Sequence, residues 1–316
     1  MDLLHTIGQA LATTAQRMGD GTGLSITFSS YMLMLGIERV SYVFSEGLEW
    51  NSGEAWANLR AALVNTAVQI VLTGGLFLAV YWPIYDHLRL ATLPFVWWGW
   101  VLAFVLNDLA YYTDHRIAHR VGLLWAIHTT HHSSPDMNLL VSNRGTVFDL
   151  GGLMSPAFFL LALLGVHPAM LLAVKFFGNL WGIFNHTQLV GRMGWLEGVL
   201  ATPANHRVHH GTQPKYLDRN YGQTLILWDR LFGSFQREEE APVFGLVKQM
   251  ESRKLWDIHS WGLRQLFAQL RSTPRWPDRL RYLVKPPGWN HLGQHETTAE
   301  IVATQADNPQ LSGQAT

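Results

Sequence analysis

Five apolar stretches, each near the length of a bilayer-crossing helix, constrain this chain more than any other feature. They run from Leu24 to Phe44, Ala61 to Trp82, Ala91 to Thr113, Val147 to Val166 and Pro168 to His186. Roughly 20 apolar residues suffice to cross the hydrocarbon core as a helix. Not every stretch is clean: Glu38 and Arg39 lie near the end of the first, Asp149 and Pro156 in the fourth, and Lys175 in the fifth. The fourth and fifth meet at His167-Pro168, which leaves room only for a tight helical hairpin.

Composition agrees. Of 316 residues 48% are hydrophobic and only 15% charged, where a soluble domain carries about 25% charged residues. The 14 tryptophans suit bilayer interfaces. Lys plus Arg and Asp plus Glu balance at 23 each, so net charge points to no nucleic acid or acidic partner. There is no cysteine, which excludes disulfides, thiolate metal sites and Fe–S clusters. No removable signal peptide is expected at the N-terminus. The chain is read as an N-terminal segment (1–23), a membrane-embedded domain (24–240), a C-terminal cytoplasmic extension (241–295) and a polar tail (296–316) expected to be disordered.

Lys and Arg are distributed unequally between the loops. Loop 114–146 holds three and residues 187–316 hold fifteen, against Arg17 and Arg89 on the opposite side. By the positive-inside rule the two basic regions face the cytoplasm.

Both basic regions carry histidine clusters. Eight of the 15 histidines fall in three five-residue windows: His115-Arg-Ile-Ala-His119, His128-Thr-Thr-His131-His132 and His206-Arg-Val-His209-His210. Residues three or four apart share a helix face, so each window presents two or three imidazoles in one direction. Eight ligands exceed the coordination of one metal, which implies two. The fourth and fifth stretches leave and return to one face, bringing His186 beside the windows as a ninth candidate. His5, His87, His167, His259, His291 and His295 are isolated and read as ordinary core or surface residues, with His87 and His167 on the far side of the membrane. No His-Glu-x-x-His zinc motif is present, and imidazole suits Zn, Cu, Fe and Ni alike, so spacing leaves the metal open.

The windows and their flanks resemble the fatty acid hydroxylase/sterol desaturase superfamily. The segments Asp108-Leu-Ala-Tyr-Tyr-Thr-Asp-His115-Arg, Thr130-His-His-Ser-Ser-Pro-Asp-Met-Asn138-Leu, Thr202-Pro-Ala-Asn-His-Arg-Val-His-His-Gly211 and Asn220-Tyr-Gly-Gln-Thr-Leu-Ile-Leu-Trp-Asp-Arg-Leu-Phe-Gly-Ser-Phe235 are most similar to its alkylglycerol monooxygenase branch and bacterial relatives. Gln188 stands where that branch carries an acidic residue, and Val141-Ser-Asn-Arg144-Gly-Thr also departs from its pattern. The resemblance implies a non-haem di-iron centre held by the eight window histidines and His186, O₂ as co-substrate, and attack on an unactivated C–H bond of a lipid. It also implies a separate electron donor, either a redox protein or a diffusible reductant such as a pterin.

Supporting residues are drawn from nearby positions. Asp108, seven residues before His115, is placed to orient that imidazole; Asn220 and Tyr221 are candidates to hydrogen-bond ligands or to shape a turn. Arg144 is a candidate to meet an anionic headgroup or phosphate at the membrane surface. The expected fold is all-α: a multi-pass helical membrane protein of four or five spans, capped on the cytoplasmic side by a helical layer that holds the metals. The expected function is hydroxylation of a lipid. Desaturation on the same centre and a non-enzymatic membrane metal carrier are the alternatives, and zinc could replace iron in a structure.

Overall fold

The structure is a computed structural model that describes Thr13, residues 22–149 and residues 156–307. Among these residues regular structure is helical throughout. Among the described residues β pairing is limited to two isolated bridges, Leu200 with Leu225 and Gly211 with Phe244. Helices α1 (Thr22–Phe44), α2 (Ser52–Leu88), α3 (Trp97–Ala118), α4 (Gly122–His132), α5 (Pro156–Leu163) and α6 (Pro168–Phe184) form the N-terminal two thirds. Helices α7 (Pro203–His209), α8 (Leu227–Leu231), α9 (Leu255–Arg271), α10 (Trp276–Val284) and α11 (Thr298–Asp307) follow.

Local chemistry sets the boundaries. Asn51 accepts a hydrogen bond from the Glu54 amide, capping α2 at its start. Pro94 disfavours helical backbone at Leu93, which delays α3 to Trp97. Pro168 opens α6, with the His167 imidazole accepting from the Ala169 amide as the cap. Gly165, at φ +84°, makes the expected hairpin turn between α5 and α6, and a Cβ there would stand 2.1 Å from the Ala91 carbonyl.

The spans differ from expectation in detail. Among the described residues one helix, α2, is long and apolar enough to cross a membrane, with 37 residues. Helices α1 and α3 run 23 and 22 residues but carry polar side chains along their length. Helix α6 is apolar and 17 residues long. The fourth stretch, Val147–Val166, is not one helix. Asp149 closes a turn onto the Thr146 carbonyl, and the helical part within the described residues is the eight-residue α5, about 12 Å long. The tail is also corrected: Thr298–Asp307 is helical, with Glu300 in its first turn, where a carboxylate favours the helix dipole. Residues 308–316, most of segment 1–23 and residues 150–155 of the fourth stretch lie outside the described residues.

The bundle has two distinct ends. At one, the α2–α3 loop bonds the α5–α6 turn through Leu90 N–H to Leu163 O (2.7 Å) and Leu93 N–H to Gly165 O (3.0 Å). A core of Tyr81, Trp100, Phe158, Met170 and Leu171 fills the space beneath. His87 and His167 sit at this end, as expected from sequence. Helix α3 runs from here to His115, about 27 Å away. At that second end α9 packs tightly on α4, the helix of the second histidine window. Contact is close because residue 262 is glycine: a Cβ there would meet the Ala126 carbonyl at 2.1 Å.

Replacing Gly262 with alanine should therefore push α9 from α4 and cost roughly 1–3 kcal/mol, the usual range for overpacking. Thermal unfolding of Gly262→Ala in detergent should show a lowered midpoint, whereas Gly191→Ala, at a position with open space around it, should not.

Candidate metal centre

Four segments converge at the second end. His115 lies in the last turn of α3 and His119 caps it. His128, His131 and His132 lie on α4, and His186 follows the end of α6 by two residues. Helix α7 carries His206 and His209, with His210 at its C-cap. Its seven residues are fixed at the start by a reciprocal capping box between Thr202 and Asn205 and by Pro203 in the first turn. That local signal holds the third window helical where a short isolated segment would not be.

All nine histidines meet in two adjoining groups. In one, a ring nitrogen from each of His115, His119, His128, His132 and His209 lies within 4.8 Å of the others; in the second, the same holds for His131, His186, His206 and His210. The second and third windows are divided between the groups. His128 and His132, four residues apart, share a face and serve one group, while His131 points to the other. His206 and His210 likewise join the group opposite to His209. Each His-x-x-His-His window thus faces two centres, which refines the single direction expected from spacing.

Hydrogen bonding on the outer nitrogens decides which inner nitrogens are bare. A main-chain carbonyl can only accept, so a ring nitrogen bonded to one carries the proton. His115 Nδ1 donates to Tyr221 O (2.8 Å), His209 Nδ1 to Arg219 O (2.8 Å) and His186 Nδ1 to Gly182 O (2.7 Å). His119 Nδ1 faces Asp218 Oδ1 at 3.3 Å. Their Nε2 lone pairs therefore point inward.

Those inward nitrogens crowd one another. His115 Nε2 is 3.1 Å from His128 Nε2, and His186 Nε2 is 3.1 Å from His131 Nε2 and 2.9 Å from His206 Nε2. His119, His209 and His210 Nε2 are buried with no hydrogen-bond partner. Two nitrogens bound at about 2.1 Å to one metal, at near right angles, would stand about 3 Å apart. The donor set fits two nitrogen-bound cations. Burial first, then the neighbouring imidazoles, hold His128, His132, His206 and His210 well below the usual histidine range, so they are neutral and ligand-ready at pH 7.

Asp108 and Arg144 act differently from their expected roles, whereas Tyr221 bonds a histidine and Asn220 shapes a turn, the two roles expected of that pair. Asp108 touches no imidazole. Two helical turns, about 11 Å, separate it from His115, and its carboxylate accepts from the Thr224 and Leu225 amides and Trp228 Nε1. Asp108 thus fastens the loop after Tyr221 to α3. Tyr221 supports His115 through its main-chain carbonyl, and its ring packs against His115, His119 and His209. Asn220 bonds no histidine; at φ +54° it shapes the turn, donating to Asn205 O and Gln236 O. Arg144 is not at the surface. It is buried, with Nη1 2.6 Å from Glu54 Oε1, a further bond to Asn58, and Nε donating to Ser133 Oγ beside the second window. An unpaired buried guanidinium would be costly, and Glu54 neutralises it.

Sequence reasoning missed Asp218, Asp229 and the Glu54–Arg144 pair. Asp229 is fully buried and accepts from the Tyr221 and Gly222 amides and Ser234 Oγ, holding the loop that supports His115. Asp218 adopts φ +58°, a region where Asp and Asn are the best-tolerated non-glycine residues. The run Asp218-Arg-Asn220 was the available signal.

A helical scaffold enclosing two adjoining histidine groups, each able to hold a metal ion, is the class of site this fold builds. Residues 100–234, which span all three windows and His186, match the fatty acid hydroxylase family. The chain is 32% identical over 282 residues to an alkylglycerol monooxygenase of Xenopus tropicalis, covering 87% of this chain and 62% of that protein. It is 33% identical over 244 residues to the human alkylglycerol monooxygenase, covering 75% and 54%. To an ornithine lipid hydroxylase of Rhizobium tropici it is 33% identical over 143 residues, covering 43% and 41%. The chain thus spans only a little over half the length of these monooxygenases. No solved structure matches it.

Asp218 should act through His119. Replacing it with asparagine removes the charge behind that imidazole, and loss of such a partner typically weakens metal affinity about 10–100-fold. Competition titration with a chromogenic chelator should register that loss in Asp218→Asn, with helical content unchanged by circular dichroism.

Proposed function

We propose that the chain is a multi-pass membrane di-iron oxidoreductase that hydroxylates a C–H bond of a lipid with O₂. The observation that carries this reading is the convergence of nine buried or half-buried imidazoles into two groups whose inner nitrogens face one another. The family match and the lipid-oxidising names of the relatives support the substrate class. Iron bound there would supply O₂ activation and the oxidising power for C–H cleavage. His115, His119, His128, His132 and His209 would hold one metal, and His131, His186, His206 and His210 the other.

A cavity of about 540 Å³ adjoins the groups and suits a lipid chain. His115, His128 and His131 form part of its wall, and Ala110, Leu124, Ile127, Phe148, Phe158 and Leu161 supply apolar lining. Asn107, Asp114, Lys175 and Asn179 share the wall with that apolar lining, and the side chains would fix which carbon faces the histidines. Hydroxylation consumes one O₂, two electrons and two protons per lipid and releases one water. Nothing in the chain resembles a flavin, haem or Fe–S site, so the electrons would come from a separate redox protein or a diffusible reductant such as a pterin.

Purified protein reconstituted with iron should hold close to two irons per chain by elemental analysis. Any of His131, His206 or His209 changed to alanine should lower metal content and abolish lipid-dependent O₂ uptake, while His167→Ala should leave both near wild type. Mass spectrometry of cellular lipids with and without the gene should reveal a product heavier by one oxygen. A product lighter by two hydrogens would indicate desaturation instead, and tight iron binding without lipid-dependent O₂ uptake would indicate a carrier.

The distribution of Lys and Arg supports a cytoplasmic histidine end. With the histidine end in the cytoplasm, a cysteine replacing the exposed Leu90 should react with an impermeant thiol reagent from outside intact cells. A cysteine replacing Trp195 should react only after permeabilisation. The native chain contributes no thiol to either measurement.

A further inference from the structure

Beyond the family-matched residues, α9 and α10 form a helical hairpin with two unlike faces. Inward, Ile258, Gly262 and Leu266 of α9 and Asp278 and Tyr282 of α10 are buried. Outward, α10 presents Trp276, Leu280 and Val284 at four-residue intervals, with exposures of 69%, 57% and 63%. Helix α9 adds Phe267, 53% exposed, and Trp256 beyond it. Large apolar side chains in such a row are unusual on a surface that faces only water.

The charge around this row has one sign. Residues 255–285 hold six Lys or Arg against two Asp, a net charge of +4 in a chain that is neutral overall. Asp257 is taken by Arg264, and the buried Asp278 by Arg275 and Arg281. Arg271, Arg279 and Lys285 have no carboxylate partner among the described residues, and two of them stack on the apolar row, Arg271 over Phe267 and Arg279 over Trp276.

Both ends of the hairpin are pinned at the level where long helices end. Just before α9, Arg253 bonds Glu54 in the first turn of α2 (3.1 Å). Just after α10, the Lys285 carbonyl accepts from Gly122 N–H (3.0 Å), four residues past the end of α3. Exposed Trp56 lies near the first anchor and exposed Ile117, Leu123 and Leu124 near the second, so the apolar row continues into the rim of the bundle.

We infer that the α9–α10 hairpin is an interfacial anchor that lies on an anionic bilayer surface, with Trp276, Leu280, Val284 and Phe267 among the lipids and Arg271, Arg279 and Lys285 on their headgroups. The chemistry is that of a basic amphipathic helix, apolar on one side and cationic at its margins. A second copy of the chain would bring like charges together, whereas an anionic bilayer opposes them. This inference rests on the proposal that the chain is a membrane protein, and the test separates the two.

The experiment uses the full chain in nanodiscs, with single spin-labelled cysteines at Leu280 and at Val71 on the exposed middle of α2. In equimolar phosphatidylcholine and phosphatidylglycerol, the Leu280 label should be several-fold more accessible to O₂ than to a water-soluble nickel chelate. That preference should fall at least twofold in phosphatidylcholine alone, or when Arg271, Arg279 and Lys285 are all changed to Gln. A Leu280 label open to nickel while the Val71 label remains in lipid would overturn the anchor and leave the membrane reading intact. A Leu280 label closed to both reagents would show a protein contact and also overturn it. Labels open to nickel at both positions would overturn the membrane reading together with the anchor.

Discussion

Much of this structure depends on a small set of hydrogen bonds from the outer nitrogen of an imidazole to a carbonyl or carboxylate. They place the protons of His115, His186 and His209 on Nδ1 and leave Nε2 bare and inward. An imidazole free to rotate or change tautomer would bind a metal weakly, so the outer shell contributes much of the site's affinity. Each acceptor must itself be held. Tyr221 O is placed by the 220–229 loop, which Asp229 and Asp108 tie to its own backbone and to α3.

Buried carboxylates recur in this framework because loops that approach a metal site leave amides without partners. Asp108 and Asp229 satisfy two amides each, and Glu38 accepts from Leu139 N–H and Thr187 Oγ1, beside the second window and His186. Unpaired, each amide would cost about 1–3 kcal/mol. The Glu54–Arg144 pair extends the framework to α2, because Arg144 also bonds Ser133 at the end of α4. The long apolar helix and the histidine helix are thereby joined through a buried ion pair whose loss would leave one charge stranded.

Helix lengths separate the chemistry from the opposite loops. Helix α3 reaches from the 89–96 loop to His115, and α6 from the Gly165 turn to within two residues of His186. The apolar core between these ends holds no metal-binding cluster among the described residues. The cavity beside His115, His128 and His131 lies between this core and the metal centre.

The sequence alone determined which residues are imidazoles, that they come in helical spacings, and that three windows and His186 could reach one another. Helical character, the 165–168 hairpin and the far placement of His87 and His167 were legible because each depends on local signals: hydropathy, proline and glycine. The allocation of His131 to one group and His128 and His132 to the other was decided only by tertiary structure. Spacing fixes relative angle on a helix, but what lies at that angle depends on where α3, α6 and α7 are packed. The same reason accounts for Arg144 and Asp108, whose partners Glu54 and Thr224 lie 90 and 116 positions away in the chain. A charged residue announces itself in sequence; whether it meets solvent, lipid or a buried opposite charge is set by which distant segment the fold brings to it.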